Sequence, residues 1–281
     1  MDMNIENLII ILKKLSNVYF YMGKYQDGVD VCTYAIDHFP QIDEVNKSML
    51  LFNSILYYNY MENYTKALEK IKALESIVNE NTKDKFGDLY NKILLLKASC
   101  LFHVNRYSES LNIYSLLISY MPRENYGNRL IYENNKAEIF ILSNRIDEAK
   151  KSLNYILDNI NNVPDMFPFI PQLYLEISRR YLQLADVDSA IAYLYKALNY
   201  GKSYNYSFVI SDILKELIHI PNKKIEVDIE NEFIELVNSV KSVDPTLMIE
   251  ILRYFTTSGN AKAVLEICDF CQMYTQKNKR M

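Results

Sequence analysis

Glycine and proline are scarce in this sequence, at six and seven of 281 residues. Sheets joined by tight turns draw on both, so the shortage points to an all-helical chain. Tryptophan is absent and histidine occurs three times. His38, His103 and His219 each fall near the end of an expected helix, where the macrodipole favours a cation, and none completes a Ser/His/Asp set. No phosphate-binding glycine loop and no metal-spaced carboxylate pair occurs. The expectation is a non-enzyme that needs no cofactor.

An excess of positive charge is also missing. With 31 basic and 35 acidic residues the net charge is −4, and the one basic cluster is the short tail Lys277–Arg280. A protein that neutralises several phosphates needs a basic face, so nucleic-acid binding through this chain is not expected. The N-terminus lacks the basic, apolar and small-residue regions of a signal peptide, and no segment reads as membrane-spanning. A cytoplasmic location with reduced cysteines follows as the expectation.

What the chain has in quantity is tyrosine, 24 residues, within 49% hydrophobic composition. The ring suits repeat cores and binding grooves, although low-GC codon usage raises Tyr, Asn, Ile and Lys as well. The stretch Val18 to Pro40 sets the pattern. Tyr19, Gly23, Tyr25, Gly28, Cys32, Ala35 and Pro40 match the small and aromatic positions of a tetratricopeptide repeat, two antiparallel helices packed through a tight turn.

The unit recurs. Helices are expected over 4–22 and 26–38, 43–60 and 64–79, 83–103 and 107–120, and 124–142 and 146–159. After the proline-rich connector VPDMFPFIP the chain restarts near Pro168 or Pro171, giving 171–184 and 187–201. A degenerate unit, 204–241, has Pro221 to Lys224 in place of a compact turn, and 245–257 with 260–277 closes the series. The turn-adjacent residues Tyr25, Tyr64, Tyr107, Ile146 and Val187 recur at intervals near 40 residues, longer than the 34 of the standard repeat, and Ala261 follows after 74, an interval that holds one degenerate unit. The fold expected is a right-handed α-solenoid of about seven degenerate pairs forming one superhelical domain, 1–281. A HEAT-like array of longer period is the competing architecture.

Such an array, Tyr- and Asn-rich, resembles the peptide-binding domain of the pheromone regulators of low-GC Gram-positive bacteria, the Rap, NprR, PlcR, PrgX and RstA group. The resemblance implies a quorum-sensing function in transcriptional regulation. Members mostly carry a helix-turn-helix domain or, in Rap, a helical bundle. Neither is legible before the first repeat, so the expectation is either an isolated sensor domain of a longer regulator or a stand-alone repeat protein.

Cys268 and Cys271 form a lone CxxC. A tetrahedral zinc site needs four ligands, and Cys32 and Cys100 are far away in sequence. Cys268 instead shares the register of Cys32, Tyr114 and Leu194, and Cys271 that of Ala35, Leu117 and Ala197, which are packing positions.

In tetratricopeptide arrays the first helix of each pair lines the inner groove. Counting back from the turns places there Asn17, Asn59, Tyr60, Ser99, His103, Asn134, Glu138, Gln172, Arg179, Gln183, Arg253 and Thr256, interleaved with Phe20, Phe52 and Phe102. A carboxamide both donates and accepts, so an asparagine row can pair with the backbone of an extended peptide. Arg179 and Arg253 are expected to take a peptide's carboxylate and Glu138 its amine or a basic side chain. The ligand expected is a short signalling peptide, in a sensor that changes shape on binding. A static scaffold holding a protein tail is the alternative, although the inward basic residues Lys13, Lys92, Arg179 and Arg253 are too spread for a clamp. Homodimer formation is compatible with either, and a phosphatase regulator or helical hydrolase finds no catalytic set.

Overall fold

The computed structural model describes residues 5–122, 124–164, 169–220, 228–239, 245–257 and 259–278. Among these are fifteen α-helices and no strand. Where the repeat count suggests one domain, backbone contacts divide the chain into two compact units, Met1–Asn125 and Tyr126–Met281.

The first unit pairs α1 (Ile5–Tyr21) with α2 (Tyr25–His38), α3 (Glu44–Tyr60) with α4 (Tyr64–Glu75), and α6 (Leu89–His103) with α7 (Tyr107–Tyr120). A one-turn helix, α5 (Lys83–Phe86), lies in the connection before α6. The second unit pairs α8 (Tyr126–Leu142) with α9 (Ile146–Asn159), α10 (Ile170–Gln183) with α11 (Val187–Ser203), α12 (Ser207–Ile218) with α13 (Ile229–Ser239), and α14 (Pro245–Thr257) with α15 (Ala261–Asn278). The turn-adjacent residues Tyr25, Tyr64, Tyr107, Ile146, Val187 and Ala261 each open a second helix, as the register predicts.

One backbone motif makes these turns. Gly23, Glu62, Asn105, Asn144, Ala185, Asn205 and Gly259 all stand at positive φ. The N–H of the next residue reaches back to the carbonyl of the helix's last turn, as in Lys24 to Tyr19 at 2.9 Å, Arg145 to Phe140 at 2.7 Å and Asp186 to Tyr181 at 2.9 Å. This is the Schellman motif, which satisfies carbonyls that a helix end leaves unpaired. Glycine supplies the left-handed residue at two of the turns; the other five force a side chain into it.

Three helices differ from expectation. Residues 83–103 do not form one helix, because Gly87 adopts φ 56° and ψ −130°, a conformation that only glycine reaches easily, and separates α5 from α6. Helix α4 stops at Glu75 rather than Asn79, because the Asn79 side chain donates to the Glu75 carbonyl at 3.2 Å and Thr82 Oγ1 donates to the Ile77 carbonyl at 2.8 Å. Helix α12 begins at Ser207, since α11 continues through Ser203 and the Schellman turn at Asn205 joins two successive pairs instead of two helices of one pair. Gly201 permits that close approach, as a Cβ there would meet Ile210 Cγ1 at 3.1 Å. The Pro221 to Lys224 connection lies outside the described residues. Helix α10 starts at Ile170 with Pro171 in its first turn, where a missing N–H costs nothing.

The cores follow the pairs. In the first unit one cluster joins α1, α2 and α3 through Ile9, Val29, Cys32, Leu50 and Tyr57, and a second joins α3, α4 and α6 through Ile55, Ala67, Ile71, Ile93 and Cys100. In the second unit a continuous cluster runs from Leu130 of α8 to Ile267 of α15. The small residue in the first turn of each second helix, Gly28, Ala67, Ser110, Ala149 or Ala190, is buried. Cys268 is half-buried on α15, and the Cys271 side chain lies outside the described residues.

Candidate functional site

Within the first unit the expected groove residues link consecutive first helices or cover their ends. Asn17 on α1 accepts a hydrogen bond from Asn53 Nδ2 of α3 at 3.4 Å, and Lys13 donates to Asn46 Oδ1 at 2.9 Å. Asn59 on α3 accepts from Cys100 Sγ of α6 at 3.4 Å, leaving Ser99 beside it half-buried. Phe52 packs against the core of α3, α4 and α6. Tyr60 and His103 pack on neighbouring rings. They end α3 and α6, and each stacks on the first residue of the preceding second helix: Tyr60 on Tyr25 at 5.4 Å, His103 on Tyr64 at 4.2 Å and 9°. Phe20 meets Tyr60 edge-on at 4.9 Å, and Phe102 meets His103 likewise at 5.1 Å. These rings seal the seam between repeats.

The second unit concentrates charge. Arg180 of α10 is 4% exposed and pairs with Glu138 of α8 at 2.9 Å and with Glu176 at 3.0 Å. Arg179 pairs with Glu176 at 2.7 Å and with Glu216 of α12 at 2.7 Å. Burial works against the Arg179 charge, but Glu216 and Glu176 outweigh it and hold the guanidinium above its ordinary pKa. Gln172 donates to Glu176 Oε1 and Gln183 accepts from Arg180, both at 3.0 Å. The result is a chain of pairs, Glu138–Arg180–Glu176–Arg179–Glu216, tying three successive first helices. A guanidinium is suited to this because its planar fork bonds two carboxylates at once.

Sequence counting found Glu138, Gln172, Arg179 and Gln183 of this network and missed Glu176, Arg180 and Glu216. Glu176 was available to it, since it lies one turn from both Gln172 and Arg179 on the same stripe. Asn134, expected to line the groove, is enclosed instead. It is 3% exposed, and its Oδ1 accepts no hydrogen bond. Arg253 and Thr256 line a separate shallow cleft of about 270 Å³ on α14 with Ile249, Leu252 and Thr257. Among the described residues no group of three or more His, Cys, Asp or Glu could hold a metal ion.

Solved structures with the same arrangement of helix pairs settle the architecture. The fold is that of a tetratricopeptide-type repeat protein. The apo form of RapI matches with a TM-score of 0.62 at 13% identity, over 97% of this chain and 99% of that one. A Rap protein complexed with Competence and Sporulation Factor matches with a TM-score of 0.59 at 15% identity, over 98% of this chain and 78% of that one. A putative kinesin light chain of Podosopora anserina, built of nearly identical TPR-like repeats, matches at 0.59 and 12% identity over 73% and 99%. No protein-family model and no curated protein sequence matches this chain. The tetratricopeptide array therefore resembles Rap-type regulators in fold, and no described helix is long and apolar enough to cross a membrane.

Proposed function

We propose that this tetratricopeptide array is the peptide-responsive part of a cytoplasmic, quorum-sensing-type regulator. The observation that carries the proposal is the chain Glu138–Arg180–Glu176–Arg179–Glu216 across α8, α10 and α12. A peptide lying over these helices brings its own carboxylate and amine, which compete with the intramolecular pairs. Because the Glu138–Arg180 and Arg179–Glu216 pairs each tie α10 to a neighbouring first helix, exchanging partners changes how the three are held, and a loosely coupled repeat stack responds to such a bias. The fold shared with a Rap protein complexed with Competence and Sporulation Factor supports the same class of ligand. A static adaptor with a basic clamp fits less well, because Arg179 and Arg180 are already held by glutamates.

The test is calorimetric titration of a library of short synthetic peptides, with small-angle scattering before and after binding. The wild type should bind, its scattering profile should change, and Arg179→Ala should shift the affinity by about five- to 150-fold. Absence of binding, or equal affinity in wild type and Arg179→Ala, sinks the proposal. Binding without a change in scattering favours the static adaptor.

A further inference from the structure

Helix α1 exposes an apolar face that its register assigns to an interface. Aligned on the left-handed residue of each turn, Ile11, Leu15 and Val18 of α1 stand where α3 has Leu50, Ser54 and Tyr57 and where α10 has Leu173, Ile177 and Arg180. All six of those counterparts are buried, on the side of the first helix that meets the preceding pair. On α1 the three residues are exposed, Val18 at 50%, and Met22 continues the stripe. The α1 stripe has the apolar composition of surfaces that are buried between neighbouring pairs elsewhere in the chain.

The complementary surface is at the other end of the chain. The residues at which earlier second helices receive their neighbours are buried throughout: Gly28 and Cys32 on α2, Ala67 and Ile71 on α4, Ala190 and Leu194 on α11. Their counterparts on α15, Val264 and Cys268, are half-exposed, and Leu265 beside them is 66% exposed. Among the described residues no first helix follows α15. Charge agrees with shape. Exposed Lys14 flanks the α1 stripe and exposed Asp269 that of α15, the same polarity as the Lys97–Glu75 pair at 2.7 Å between α6 and α4, while Glu266 of α15 is paired with Lys262 of its own helix.

We infer that the outward face of α1 receives α15 of a second copy of this chain, so that copies stack head to tail and continue the repeat interface between molecules. The contact is heterologous: each copy offers one face and accepts the other, and a chain of copies grows unless something caps it. This does not depend on peptide binding.

Light scattering across a concentration series tests it, on the full chain and on Val18→Asp and Leu265→Asp. Both side chains are solvent-exposed, so circular dichroism should show the folded helix content unchanged in each. Wild type should gain mass with concentration, and either variant should weaken self-association by at least roughly tenfold. An equimolar mixture of the two variants should form dimers and stop, because only the α15 face of Val18→Asp and the α1 face of Leu265→Asp remain compatible. A wild type that stays monomeric throughout, a Leu265→Asp protein that associates as the wild type does, or a mixture that stays monomeric overturns the inference.

Discussion

Gly28 of α2 lies directly against the ring of Tyr57 in α3: a Cβ on residue 28 would come within 2.8 Å of Tyr57 Cε2. The ring has nowhere to go, since it is 1% exposed and its hydroxyl is 2.5 Å from Ser16 Oγ, which in turn is 3.2 Å from Cys32 Sγ. The corresponding positions Ala67, Ser110, Ala149 and Ala190 all carry a Cβ, so the demand for glycine here comes from the tyrosine and not from the turn.

Gly28→Ala should therefore lower stability by about 1–3 kcal/mol through overpacking, even though alanine is the better helix former. Urea unfolding measures it. In a Tyr57→Leu background the same substitution should cost much less, and an equal cost in both backgrounds would falsify the contact.

The five left-handed residues that are not glycine store strain, most at Ala185 and Glu62, which lack asparagine's tolerance of that conformation. Ala185→Gly should raise stability by ~1 kcal/mol. Asn105→Gly should change it by much less. The comparison is made by thermal melting, and an Ala185→Gly protein that melts below wild type would contradict the turn geometry.

Glu80 is a point of pH sensitivity in the first unit. Lys83 and Tyr120 both donate to its carboxylate at 2.6 Å, and these hydrogen bonds hold its pKa down to about 2. A depressed carboxylate adds stability above its unfolded pKa of about 4.3, and that contribution fades as pH falls through the folded value. Wild type should thus lose stability between about pH 4.5 and pH 2 by a component that Glu80→Gln lacks. Parallel pH profiles of the two proteins, offset but of equal slope, would remove Glu80 from this role.

The cysteines should differ in reactivity. Burial pushes the Cys32 and Cys100 thiols up to about 11, and both are fully enclosed, whereas Cys268 is half-exposed. The thiolate is the nucleophile, so under native conditions an alkylating reagent should label Cys268 well before Cys32 or Cys100. Site-resolved mass spectrometry reads the order. Early labelling of Cys32 would mean that the pair α1/α2 opens on its own. Stability tied to Cys32 is intact below pH 9 and is lost as pH rises toward 11, because the unfolded thiol ionises first.

The sequence alone determined the helix pairs, because their signals are local. A Schellman turn just before the second helix recurs ahead of α2, α4, α7, α9, α11 and α15, with a small residue in the first turn of the first five, which is why Tyr25, Tyr64, Tyr107, Ile146, Val187 and Ala261 can be aligned without any knowledge of packing. The departures at this level are local as well: Gly87 breaks the helix expected over 83–103 and Asn205 makes a turn, and neither falls at the repeat interval. The state of the candidate site was decided by tertiary structure. Whether Asn134 faces water or the interior depends on the rotation of α8 about its own axis, which packing against neighbouring helices sets. Whether Arg179 waits for a ligand or holds Glu216 depends on two side chains 37 residues apart meeting across α10 and α12. Periodicity names the face on which a residue stands; only the assembled neighbours supply the partner, and for charged groups in a half-buried seam the partner decides the chemistry.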